Sequence, residues 1–120
     1  MKSIPLNSLP TIPSVIHVKH SDNQVVVELM INENLRCFQG HFDGSPVVAG
    51  VVQLDWAVLF AKQYLSFQGE NIKISALKFQ KLMLPKMKVN LKLIQQSETK
   101  FTFEYSNDDV IFSSAKIEIT

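Results

Sequence analysis

Two residues of this sequence combine reactive side chains with settings that suit proton transfer. His41 lies in Gly40-His41-Phe42-Asp43-Gly44, and Asp55 follows fourteen positions later. Flanking glycines let a backbone bend and let a ligand come close, and an imidazole titrates near neutral pH. Asp55 and Gln53 are the only polar side chains among the fifteen residues 47–61. An ionised carboxylate in apolar surroundings costs on the order of several kcal/mol unless it is paired or neutralised, and a carboxyl kept protonated can act as an acid. An imidazole base beside a shielded carboxyl is the equipment of an elimination reaction. Plain alternatives stand beside this one: the His41 loop as an ordinary turn, and Asp55 as a helix carboxylate favoured by the macrodipole. Gln53 reads as the cap of a polar patch at a subunit contact. Cys37 and His41 have no further ligands nearby, so no metal site is expected.

The elements that must position these groups are legible in the hydrophobic pattern. Residues 1–13 contain Pro5, Pro10 and Pro13 and predict an extended arm. Residues 15–21 and 24–31 predict two strands joined at Ser21-Asp22-Asn23. His17 and His20, an odd number of residues apart, then point to opposite faces and do not share a metal. Residues 32–39 read as irregular. From Val47 or Gly50 to Phe67 the chain predicts one largely buried helix, with Ser45-Pro46 or Gly50 at its start and Gly69 as its stop. Trp56, Phe60 and Tyr64 recur at helical spacing and belong to a core or interface. Residues 72–79, 87–94, 100–105 and 110–119 predict four more strands. In the first of these, Ile72, Ile74 and Ala76 fall out of phase with Leu77 and Phe79, which calls for a bulge. One helix and about six antiparallel strands make an α+β domain in which a sheet wraps a helix.

Composition excludes several classes. At 120 residues a single domain spanning 1–120 is expected. The 46% apolar and 19% charged content is that of a soluble globular protein, and the net charge of +1 gives no bulk attraction to nucleic acid or membrane. No apolar run approaches the ~18 residues of a membrane span. The prolines and the lack of an apolar core in residues 1–14 do not read as a signal peptide, and a single Cys37 fits a reducing compartment, so a cytoplasmic location is expected. Lys73, Lys78, Lys81, Lys86, Lys88 and Lys92 occur with no acid between Glu70 and Glu98. Such a run is a solvated face or a dock for an acidic protein. With one arginine and no interleaved aromatics it does not suit nucleic acid.

The segment GHFDGSPVVAGVVQLDWA resembles the motif of the 3-hydroxyacyl-acyl-carrier-protein dehydratases of the FabA/FabZ type. Gly40, His41, Phe42, Gly44, Pro46, Val47, Gly50 and Val51 match, with Asp55 at the acid position. Lys78-Phe79 and Leu84-Pro85 carry a second, weaker similarity, and the short chain with its VVQLDW wording looks most like the ApeI-like dehydratases. The resemblance implies a hot-dog fold, a long helix wrapped by a curved antiparallel sheet, working as a homodimer or as a heterodimer with a related subunit. It implies dehydration of a 3-hydroxyacyl thioester to the trans-2-enoyl thioester, in fatty-acid or aryl-polyene-type biosynthesis, without metal or cofactor. His41 would take the α-proton, Asp55 of the neighbouring subunit would protonate the leaving hydroxyl, and the Gly50 amide would polarise the carbonyl. Phe42, Gly44, Val51 and Trp56 would line the substrate site, and Lys78, Lys81, Lys86 and Lys88 would dock an acyl carrier protein. Asp43, Ala49 and Leu59 depart from the family pattern; an anion near His41 would raise its pKa and weaken it as a base at neutral pH by leaving less of it unprotonated. Two alternatives stay open: a hot-dog thioesterase, and a weakly active or non-catalytic partner subunit of a dehydratase heterodimer.

Overall fold

A computed structural model describes residues 9–39, 46–108 and 110–120. Six strands, β1 (Ser14–Ser21), β2 (Gln24–Met30), β3 (Ile72–Phe79), β4 (Lys88–Gln95), β5 (Lys100–Asn107) and β6 (Val110–Ile119), form one antiparallel sheet in the order β1-β2-β4-β5-β6-β3. The helix α1 (Gly50–Tyr64) lies between β2 and β3 in the chain. Its Trp56, Ala57, Phe60 and Ala61 share one core with the sheet's inner face. This is the hot-dog arrangement.

Period-2 alternation produces the inner face. Val25, Val27 and Leu29 of β2, Val89, Leu91 and Leu93 of β4, and Phe101, Phe103 and Tyr105 of β5 are all buried. Register aligns them in rows, Val25–Leu93–Phe103–Ala115 and Val27–Leu91–Tyr105–Ser113. Cross-strand neighbours of this kind are the unit of sheet stability. Strand ends differ from the sequence expectation by one or two residues, since fraying termini carry little pattern. The bulge expected in β3 lies between Ser75 and Lys78, where Ala76 takes a φ of 52°. It puts Ile72, Ile74 and Phe79 in register with Ile119, Ile117 and Ser113, on the inner face. A second irregularity lets both Phe112 and Ser113 of β6 turn inward. The Phe112 carbonyl then accepts from the amide of Gln80 at 2.8 Å, which ties the chain after β3 to β6. His17 pairs Glu28 on the outer face and His20 pairs Val25 on the inner, so the histidines diverge as expected.

Two expectations about the helix need correcting. It ends at Tyr64 rather than Phe67, because Leu65 turns extended (φ −113°, ψ 174°) and Phe67 is carried onto the Phe101 ring, 5.2 Å away between centroids. Gly69 is therefore not its stop. That glycine, at φ 132°, passes the Thr120 carbonyl so closely that a Cβ would lie 2.5 Å from its oxygen; only glycine fits. Residues 32–39 are less irregular than the pattern suggests, since Arg36–Phe38 forms a 3₁₀ turn.

Helix and sheet are joined by hydrogen bonds as well as by packing. The Tyr105 hydroxyl donates to the Gln53 main-chain carbonyl at 2.7 Å, and the Ser113 hydroxyl donates to Gln53 Oε1 at 2.6 Å. Complete burial holds the Tyr105 phenol well above its ordinary pKa of 10.0. The unfolded chain then loses this proton first as pH rises, so it binds fewer protons than the folded state and stability falls above about pH 10. Tyr105→Phe should lower stability by about 1 kcal/mol near neutral pH through the lost hydrogen bond. It should also remove a component of up to about 1.4 kcal/mol per pH unit from the alkaline decline. Urea unfolding midpoints of both proteins, compared between about pH 8 and pH 11, test both signs.

Candidate active site at the helix entry

The chain enters α1 through residues 46–49, which are not helical. Of the two starts read from the sequence, Gly50 is therefore the one taken; Ala49 is the N-cap, in extended conformation and without a side-chain cap. Two bonds hold the entry. The Val48 amide donates to the Met83 carbonyl at 2.8 Å, and the Val48 carbonyl accepts from Gln53 Nε2 at 3.0 Å. The Val52 and Gln53 amides both donate to the Ala49 carbonyl. Among the described residues the amides of Gly50 and Val51 make no hydrogen bond. They are donors of the kind that every helix start leaves over, at the positive end of the macrodipole. The Phe79 ring of β3 lies over Gly50; a Cβ there would be 2.5 Å from its Cζ.

Asp55 is exposed in the single chain, which corrects the expectation of a carboxylate enclosed by apolar neighbours. The reason is helical period. Val51, Asp55 and Leu59 stand four apart on the outer stripe of α1, where Val51 is 65% and Leu59 44% exposed. Gln53 faces inward instead, 3% exposed, so it is a core residue and not a cap at a subunit contact. Apolar letters around Asp55 thus describe two faces, one buried in this chain and one left open.

Asp55 borders a groove of about 330 Å³ whose walls include Ile12, Arg36, Cys37, Trp56 and Leu59. The Cys37 thiol is pushed up by burial. Trp56 is buried, and its indole N–H donates to the Thr11 carbonyl at 3.0 Å. The Pro10 carbonyl accepts from the Arg36 amide at 2.8 Å. The described part of the N-terminal arm is thereby a wall of the groove, a role the sequence reading missed. Its signal was the proline spacing: with Pro10 and Pro13 in place the arm lacks ladder bonds of its own, and its carbonyls are open to other donors. His41, Phe42 and Gly44, with Asp43, lie outside the described residues, in the segment joining Gln39 to Pro46.

The lysines do not form one cluster. Lys78 opposes Ser114, and Lys88 opposes Met30, on the sheet's outer face at separate strands. Lys81 borders a different groove with Leu82, Met87 and Asp108. Lys86 lies in the β3–β4 connection and pairs with Glu33 at 3.3 Å on the exposed surface.

The comparisons with known proteins agree with this architecture. A family model described as ApeI-like, ApeI dehydratase, matches residues 17–116. The dehydratase heterocomplex ApeI:P from Xenorhabdus doucetiae contains a chain that superposes with a TM-score of 0.78 at 27% identity, over 90% of this chain and 97% of that one. An uncharacterized protein from Erwinia carotovora subsp. atroseptica superposes with a TM-score of 0.73 at 36% identity, over 93% and 96% of the two chains. With its family model matched over residues 17–116, this six-stranded, helix-bearing chain belongs to the ApeI-like dehydratase family.

Proposed function

We propose that this chain dehydrates a 3-hydroxyacyl thioester, carried by an acyl carrier protein, to the trans-2-enoyl thioester. The observation that carries the reading is the arrangement on α1: amides at Gly50 and Val51 that are unbonded among the described residues, and the Asp55 carboxylate farther along the open face beside a groove. The thioester carbonyl accepts from the Gly50 amide, which stabilises negative charge as the α-carbon loses its proton. His41 takes that proton. The C3–O bond breaks with its electrons going to oxygen, the α-carbon electron pair forms the double bond, and Asp55 of the neighbouring subunit supplies the proton that makes the leaving group water. Val51 and Trp56 flank the acyl chain, with Phe42 and Gly44 from the His41 loop.

The reaction needs a second subunit. That subunit brings the Asp55 that serves this site, and it covers the exposed Val51–Asp55–Leu59 stripe. The free edge of β3, with Ile72, Ile74 and Phe79 exposed on the inner side, offers a partner strand and apolar area to bury. Either a second copy or a related hot-dog subunit fits that edge. The likeness to a chain of the ApeI:P heterocomplex favours the related subunit, and the Asp43 and Ala49 departures fit a protein whose turnover rises when it is mixed with that partner. Lys78, Lys81, Lys86 and Lys88 supply positive charge to the acidic carrier protein from more than one face.

With the assembled protein, His41→Ala and Asp55→Asn should each reduce enoyl formation by about 10³-fold while leaving the fold intact, as followed by mass spectrometry for loss of water from 3-hydroxyacyl carrier-protein substrates. Wild-type turnover in both variants overturns the assignment, and steady thiol release without enoyl product would indicate hydrolysis instead. Ile74→Lys on the β3 edge should shift native mass spectra toward single chains and reduce turnover in parallel.

A further inference from the structure

Gln53 and Ser113 are buried, at 3% and 0% exposure, and neither is part of the acid–base pair. Every polar atom of the Gln53 side chain is used. Nε2 donates to the Val48 carbonyl at 3.0 Å, and Oε1 accepts from the Ser113 hydroxyl at 2.6 Å. Its main-chain carbonyl accepts from Tyr105 at 2.7 Å. A helix start is usually held by a side-chain oxygen that accepts from its second or third amide. Here no side-chain cap exists. The entry is held through a carbonyl, by a donor reaching back from one turn inside the helix. A side-chain acceptor at the N-cap would occupy the Val51 or Val52 amide, whereas among the described residues this arrangement leaves Val51 unbonded beside Gly50.

We propose that Gln53, oriented by Ser113, is a positioning residue that sets the aim of the Gly50 amide without occupying it. The proposal rests on the dehydratase reading above for its catalytic consequence. The chain of contacts is short: Ser113 of β6 fixes the Gln53 amide plane, Gln53 fixes the Val48 peptide, and the Val48 and Ala49 peptides fix the direction of the Gly50 N–H. A donor displaced by about 1 Å from a developing oxyanion loses about 10²-fold in rate. Substrate binding through remote contacts is much less sensitive.

The test uses Ser113→Ala, Gln53→Leu and Gln53→Glu in the assembled protein, read by kinetics and by amide hydrogen exchange. Ser113→Ala and Gln53→Leu should lower kcat by about 10-fold to 10²-fold with KM nearly unchanged. Exchange at the Val48, Val52 and Gln53 amides should accelerate by about 10-fold while the amides of β4 and β5 keep their protection. Gln53→Glu adds a signature that general loosening does not produce. A protonated carboxyl can still donate to Val48 and accept from Ser113, but a carboxylate would face the Val48 carbonyl. Burial raises the pKa of the introduced group, so the ratio of its kcat to the wild-type value should fall as pH rises through that pKa. Tyr105, the titratable group bonded to this network, stays protonated there. Lowered unfolding midpoints alone, with kcat, exchange at the entry and the pH ratio all unchanged, overturn the proposal, as does faster exchange with kcat intact. A wild-type protein that forms no enoyl product overturns the reaction instead, and unchanged exchange at the entry would still refute the anchoring role.

Discussion

A buried carboxamide that misses a hydrogen bond costs on the order of 1–3 kcal/mol, and this constraint organises the molecule around Gln53. Its side chain, bonded to Ser113 of β6, and its main-chain carbonyl, bonded to Tyr105 of β5, are both satisfied only if α1 holds one rotation and one depth against the sheet. Apolar packing alone is more permissive, because Ala57, Ala61 and neighbouring side chains can slide by fractions of a turn at modest cost. The hydrogen bonds select among those packings. They set which residues of α1 face inward, and so they set that Asp55 faces out. They also tie the helix start to the Met83 segment through Val48, whose amide and carbonyl are both committed.

What lies on the open side follows from that choice. The outer stripe of α1 and the β3 edge are apolar beyond what a solitary chain needs, with Val51, Leu59, Ile74 and Phe79 all substantially exposed. An exposed strand edge and an apolar helix stripe on one chain are liabilities unless another chain covers them. The same cover would change the environment of Asp55 from water to hydrocarbon. Assembly and the surroundings of Asp55 would then share one surface.

Much of the architecture was legible because its causes are local. β2, β4 and β5 alternate with period two, and their inner residues are the ones that stand in register across the sheet. The phase break in β3 announced its bulge. The helix end was misread because Leu65 and Phe67 continue an apolar run, and a run does not say whether its residues are buried along a helix or carried onto Phe101 after it. The N-terminal arm was misjudged for a related reason: prolines show that a segment makes no ladder, not which donors its carbonyls will meet. Gln53 was placed at a subunit contact and Asp55 among apolar neighbours, but two helical residues two positions apart face different ways and composition does not say which faces in.

The sequence by itself determined the strands, the one helix, the break in β3 and the motif that places the chain in its family, because periodicity and residue type are properties of short segments. Only the tertiary structure decided that Gln53 is the buried polar residue, that Ser113 and Tyr105 are its partners, and that Asp55 opens onto a groove walled by Ile12 and Arg36. Those facts depend on contacts between residues as many as 60 positions apart. Such contacts are fixed by how the helix seats on the sheet, and no local pattern encodes that seating.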